Sequence, residues 1–389
     1  MIPGARLQAA IEVLDKIAAG EPAEKALSNW ARSHRFAGSK DRAAIRDHVF
    51  DALRKRRSLA ALGGSDTGRG LMIGLLREAG DDPAEIFNGE GYNPAALTND
   101  EVIGGLASTA PSVALDCPDW LYDRLAVSVG ENRDDILSLM RERAPVFLRV
   151  NTRKGPVNHI QDQLSDDGIE TRPHPLSPTA LEVTSGERRI RGSKAYADGS
   201  IELQDAGSQA ISDMVSLPDG GRMLDYCAGG GGKSLAVAAR VQGVFVAHDV
   251  AMARMKDLPD RAARAGVEIT CVPTRKLASL APFDAVVVDA PCSGSGAWRR
   301  NPDGKWSLTP GRLNDLVTLQ SDILDKAARL VAPGGALIYM TCSLLEEENT
   351  GQIRSFLERH PSATLDCGRS LTPLDGGDGF FIASLTGPF

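Results

Sequence analysis

The stretch Met223-Leu224-Asp225-Tyr226-Cys227-Ala228-Gly229-Gly230-Gly231-Gly232-Lys233-Ser234 decides the fold of this chain. Met223-Leu224-Asp225 reads as a strand, four consecutive glycines make a tight loop, and a segment rich in Ala and Val follows as a helix. Strand, glycine loop and helix in that order open a parallel, doubly wound α/β sheet. Downstream the alternation continues. Residues 244–247 form a strand that leads into His248-Asp249, and apolar strands follow at 285–288, 336–340 and 379–383.

Upstream the texture differs. Residues 5–18 carry Leu7, Ile11, Leu14 and Ile17 at helical spacing, and Ser39 is a plausible N-cap for a second helix bearing Ile45, Val49 and Leu53 on one face. No strand-like alternation precedes about residue 144, so the first third is expected to be a helical bundle. Residues 146–150 and 180–183 then read as strands and 156–167 as a helix, a small α+β segment with a basic loop at Arg188-Arg189-Ile190-Arg191.

At 389 residues, two or three domains are expected. No apolar run reaches about 18 residues, which excludes a transmembrane helix, and the first residues lack the apolar core of a signal peptide. The six cysteines form no CxxC, which argues against a zinc site or a disulfide framework and for reduced thiols in the cytoplasm. His48 sits on a basic helix and the other histidines are isolated, so no metal is expected. The net charge is −7, yet residues 1–60 hold 12 Lys/Arg against 7 Asp/Glu, while residues 61–120 hold 2 against 10. Such asymmetry fits a basic face that tracks phosphates; Arg54-Lys55-Arg56-Arg57 fits a solvated helix end equally well.

Three ligands compete for the glycine loop. Gly232-Lys233-Ser234 matches the end of a phosphate-binding P-loop, but Cys227 stands where that motif needs glycine. A dinucleotide or S-adenosylmethionine suits the loop equally, with Asp249 at the end of the second strand bonding ribose hydroxyls. A bare turn is the bland reading. The discriminating features lie further on. Asp289-Ala290-Pro291-Cys292 follows one buried strand, and Thr341-Cys342-Ser343 follows another. Both thiols are expected at strand ends that line the ligand crevice. Methylation of carbon 5 of cytosine wants such an arrangement. A thiolate adds to carbon 6, and carbon 5 then attacks a methyl sulfonium. Asp289 is placed to assist at N3 of the base, and a second thiol to help break the adduct. Spacing leaves open which cysteine attacks.

These motifs resemble the RNA cytosine-5 methyltransferases of the RsmB/Nop/Sun (Fmu) family over residues 144–387. The resemblance is carried by Leu148-Arg149-Val150-Asn151, residues 204–209, Cys227 to Lys233, Asp289 to Gly296, Arg299 to Trp306, Thr341-Cys342-Ser343 and Glu348-Asn349. It implies a Rossmann-like class I methyltransferase domain at 206–389 with a mixed, mostly parallel sheet. It also implies a small RNA-recognition-like module at 144–205 and a helical NusB-like RNA-binding domain at 1–140. By the same resemblance Cys342 is the nucleophile, Cys292 releases product, Asp289 contacts the base and Lys233 lies near the reacting centre. S-adenosylmethionine is held by Cys227, Ala228, Gly229, Gly230, Gly231, Gly232, Lys233, Asp249, Thr274 and Asp289. The implied partner is RNA, 16S ribosomal RNA first and transfer RNA next, with the protein a cytoplasmic monomer. A non-catalytic RNA-binding or ribosome-assembly factor is the alternative.

Two departures from the family pattern stand out. Gly229 and Gly230 replace an Ala and a Pro, so the loop is expected to lose rigidity. Val272-Pro273-Thr274-Arg275 lacks the acidic residue that the family often carries near the adenine, which leaves Thr274 or backbone for that contact. Trp306 fits base stacking or loop anchoring alike.

Overall fold

The computed structural model describes residues 1–389. Leu7, Ile11, Leu14 and Ile17 form the buried stripe of α1 (Pro3–Ala18). They pack in one core with Ala26 and Trp30 of α2 (Ala23–Ser33) and with Ile45, Val49 and Leu53 of α3 (Ser39–Arg54). Gly38, rather than Ser39, is the N-cap of α3, and the Asp41 carboxylate accepts its backbone N–H at 3.3 Å. Next come α4 (Arg56–Gly63) and α5 (Gly68–Ala79), which approach closely because a Cβ at Gly74 would lie 2.1 Å from the Leu59 carbonyl oxygen. Shorter helices continue to Met140.

This helical unit spans Met1–Arg143 and also takes in Trp298–Ser307, a stretch of chain expected to lie with the catalytic sheet. Trp306 donates its indole N–H to the Leu53 carbonyl at 2.6 Å, and Arg54 donates to the Arg299 carbonyl at 2.8 Å. Trp306 is therefore an anchor of the helical core. Lys305 beside it is almost fully buried, and burial pushes its ammonium down to about 8.

The second unit comprises Ala144–Ala297 and Leu308–Phe389. Its first sheet is antiparallel, built from β1 (Val146–Val150), β2 (Glu170–Pro173), β3 (Ala180–Ser185) and β4 (Ile201–Leu203) in the order β2-β3-β1-β4. A helix at Val157–Asp166 buries Ile160 and Leu164 against this sheet.

The larger sheet has seven strands: β5 (Gly221–Asp225), β6 (Gly243–His248), β7 (Ile269–Val272), β8 (Phe283–Asp289), β9 (Val331–Thr341), β10 (Thr364–Leu371) and β11 (Phe380–Thr386). Their order is β10-β11-β9-β8-β5-β6-β7. The pairs β5–β6, β6–β7, β5–β8 and β8–β9 are parallel, while β11 pairs antiparallel with β9 and β10. Val286, Val287, Val288 and Leu337 are fully buried, as strands covered by helices on both faces must be. After β7 the chain crosses over β5 to start β8, so the strand order reverses at β5. In an open α/β sheet such a reversal opens a ligand crevice at the carboxyl ends of the strands. Strand β10 is an exposed edge with a register shift between Leu365 and Cys367, and it lacks the apolar pattern that marks the others.

Candidate active site

The crevice is floored by the glycine loop after β5. Gly231 (φ +78°) starts the helix Gly232–Ala238, and a Cβ there would lie 2.2 Å from Leu258 Cδ1. Gly229 also takes a left-handed φ of +52°. The rigidity expected to be lost without proline is supplied by hydrogen bonds. Ala228 N–H donates to the His248 carbonyl at 2.8 Å, and Gly231 N–H to the Ala228 carbonyl at 2.7 Å. Gly229 N–H donates to Asp249 Oδ2 at 3.0 Å, and the Arg261 guanidinium donates to the Gly230 carbonyl. From the small sheet, Arg149 donates to the Gly232 carbonyl at 3.1 Å.

At the end of β6, Asp249 is buried and also pairs with Arg254 at 3.0 Å. His248 places Nδ1 2.7 Å from the Tyr226 carbonyl and Nε2 2.9 Å from the Thr274 hydroxyl. Beneath the loop, Asp225 accepts from the Ser234 hydroxyl at 2.6 Å. Its other oxygen has no partner, and burial pushes its carboxyl up to about 6.

The opposite end holds the reactive groups. Cys292 and Cys342, carried past the ends of the adjacent strands β8 and β9, bring their sulfurs to 3.5 Å. The hydrogen bond with Cys342, reinforced by burial, holds the Cys292 thiol well above its ordinary range. Lys233 bridges Asp289 Oδ2 at 3.1 Å and the Ser208 hydroxyl at 2.9 Å, leaving Asp289 Oδ1 for another partner. Below the thiols lies Glu348, fully buried. Oε1 accepts from Ser293 N–H at 2.8 Å and from Gln320 at 3.0 Å, while Oε2 accepts from the hydroxyls of Ser293 and Ser343. One carboxylate thus ties the residue after each cysteine.

Cys342, Cys292, Asp289, Lys233, Asp249 and Thr274 all line one cavity of about 900 Å³, together with Cys227, Ala228, Gly229, Gly230 and Gly232. Gly231 is the exception: it turns toward Leu258 and serves as a spacer. Burial raises the Cys227 thiol far above its usual range, so it stays protonated. Cys117, Cys271 and Cys367 lie outside the cavity. Sequence reasoning passed over Tyr226, His248, Ser208 and Gln204, which also line it. For His248 one signal existed, its place beside Asp249 at a strand end.

Residues 213–386 match the family model described as 16S rRNA methyltransferase RsmB/F, and residues 117–188 match the ferredoxin-like domain of RsmF/B-like methyltransferases. Ribosomal RNA small subunit methyltransferase B of Photorhabdus laumondii is 34% identical over 293 residues. The match covers 69% of this chain and 66% of that protein, so the chain spans just under two thirds of its relative's length. Among solved structures, PH0851 is 25% identical with a TM-score of 0.75 and covers 99% of both chains. A methyltransferase homolog from Pyrococcus horikoshii is 26% identical with a TM-score of 0.62, covering 71% of this chain and 97% of its own. The larger sheet is accordingly the Rossmann-like sheet of a class I methyltransferase, and the chain belongs to the RsmB/F family of 16S rRNA methyltransferases.

Proposed function

We propose that this protein is an S-adenosylmethionine-dependent RNA cytosine-5 methyltransferase acting on small-subunit ribosomal RNA through a covalent Cys342 adduct. The reading rests above all on two thiols 3.5 Å apart at adjacent strand ends, opening on the cavity of the glycine loop. The names of the relatives favour ribosomal over transfer RNA. Paired reduced thiols suit a reducing compartment, the cytoplasm.

The residues fit the cofactor. The cavity has the size of a small-molecule site. The Asp249 carboxylate, which lines the cavity, suits ribose hydroxyls, and Gln204 and Ser208 add polar groups to the lining. Lys233, Arg254 and Arg261 beside the glycine loop are spent on carboxylates and Arg149 on the Gly232 carbonyl, which disfavours a dinucleotide pyrophosphate. When bound, the cofactor supplies an electrophilic methyl group.

The chain's own groups do the rest. Cys342 sulfur attacks cytosine carbon 6, and the ring's electron pair moves onto carbon 5, which takes the methyl group. As the sulfur adds, the Cys342 proton passes to N3 by way of Asp289, which Lys233 holds through Oδ2 with Oδ1 open to the base. Cys292, whose thiol the neighbouring sulfur and burial hold protonated, lies 3.5 Å from the Cys342 sulfur, within reach to support it as it attacks. Carbon 5 then gives its proton to solvent, the carbon 5–carbon 6 double bond re-forms as the carbon 6–sulfur bond breaks, and the N3 proton returns by way of Asp289 to the departing Cys342 sulfur. Cys292, 3.5 Å from the Cys342 sulfur, is placed to assist that release.

The test is a denaturing gel for protein–RNA crosslinks, run beside a methylation assay. Cys342→Ala is expected to lose both adduct and activity, and Cys292→Ala to accumulate adduct. Methylation by Cys342→Ala would sink the mechanism.

A further inference from the structure

Gly229-Gly230 stands where the family pattern has Ala-Pro, and glycine loses more conformational freedom on ordering than any other residue. Gly229 takes a left-handed φ and donates its N–H to Asp249, so its place is explained. Gly230 has neither reason. Its φ lies outside the left-handed region, its N–H donates to nothing in the protein, and it lines the cavity. What holds it is its carbonyl, which accepts from the Arg261 guanidinium.

Arg261 lies on the helix Leu258–Ala265 and is itself gripped from the small sheet. It donates to Glu202 Oε2 at 2.9 Å, and Glu202, in β4, is buried. The other oxygen of Glu202 accepts from Arg264 at 2.8 Å. A planar fork of donors fixed at one end by a buried carboxylate presents its other end at a set place. A Cβ added at Gly230 would lie 3.0 Å from Arg261 Nη1 and meet no other atom within 4 Å. A side chain at 230 and the guanidinium therefore compete for one space. Arg261 and Glu202 both lie outside the motifs that carry the family resemblance. Arg149, which reaches the Gly232 carbonyl, lies inside them.

We propose that Arg261, aimed by Glu202, replaces the missing proline: it is a positioning residue that fixes the Gly230 peptide for cofactor binding. The inference takes its ligand from the cofactor reading above. Calorimetry with S-adenosylhomocysteine and hydrogen exchange of the loop peptide, both on the full chain, test it. Arg261→Met keeps the aliphatic reach and loses the donors, while Arg264 still neutralises Glu202. Affinity is expected to fall ~10-fold and loop exchange to quicken. Arg261→Lys keeps the charge but lacks the fork that reaches both partners, and is expected to weaken binding too. Gly230→Pro alone is expected to stay within about threefold of wild type, and to return Arg261→Met to that range with slowed exchange. A merely structural role for Arg261 in its helix is not repaired at residue 230. Arg261→Met with unchanged affinity and exchange overturns the inference, as does a double variant that binds no better than Arg261→Met. Wild-type protein that binds no S-adenosylhomocysteine overturns the cofactor reading. Loop exchange then decides alone: slow exchange that depends on Arg261 upholds its positioning role, and exchange indifferent to Arg261 overturns it.

Discussion

Glu348 shows how much rests on single side chains at this site. It is fully buried, and its two oxygens take hydrogen bonds from four donors: the backbone and hydroxyl of Ser293, the Ser343 hydroxyl and the Gln320 amide. Glu348→Gln turns one acceptor oxygen into an NH₂ group facing donors, and a broken buried network leaves several polar groups unsatisfied. The expected cost is about 3 kcal/mol of stability by urea unfolding. Because Ser293 and Ser343 adjoin the two cysteines, kcat for methyl transfer is expected to fall by ~100-fold. Unchanged turnover would show that the thiol loops hold their places without it. Glu348-Asn349 was legible as a motif, but its role was not. Its partners Ser293 and Gln320 lie 55 and 28 residues away, and only the fold brings them together.

At the scale of elements, strand, glycine loop and helix form a unit whose backbone path admits only small residues. Gly231→Ala puts a Cβ at φ +78° and 2.2 Å from Leu258. Left-handed strain and overlap together cost on the order of 1–3 kcal/mol, and relief requires the loop to shift. Binding of S-adenosylhomocysteine, followed by calorimetry, is expected to weaken more than ~10-fold. Retained affinity would mean that the loop does not shape the pocket. Strands β5, β6, β8 and β9 were legible because burial on both faces demands continuous apolar runs. Strands β2, β4 and β10 were not. The first two are three or four residues long and β10 is an exposed edge, so none carries a periodic signal.

At the scale of the molecule, the helical unit is completed by Trp298–Ser307, a segment some 155 residues beyond its main body. That segment buries Lys305, lowering its ammonium from 10.5 to about 8. Between those values the unfolded chain holds a proton that the folded chain has lost, so stability rises with pH across the window. Below about 8 the cost of burying the charge is fully present, about 3 kcal/mol at one unit per 1.36 kcal/mol. Urea unfolding at pH 7 and pH 10 is expected to show a gain of this order in the wild type. Lys305→Met abolishes that gain and unfolds at higher urea at pH 7. An equal pH slope in both proteins would show that Lys305 is not the titrating group.

The sequence alone determined the local chemistry: the glycine loop, the paired cysteine motifs, Asp289 and Asp249 are each defined by neighbours within a few residues, where backbone geometry and strand burial leave a readable pattern. It also determined the family, because several such patterns recur in a set order. The tertiary structure alone decided the rest. It brought the sulfurs of Cys292 and Cys342 to 3.5 Å, set Glu348 beneath both loops, joined His248 to Thr274 and placed residues 298–307 in the helical unit. Each of these pairs residues far apart in the chain. A hydrogen bond or a buried charge is governed by distance in space, and nothing in a linear sequence encodes that distance until the sheet has formed.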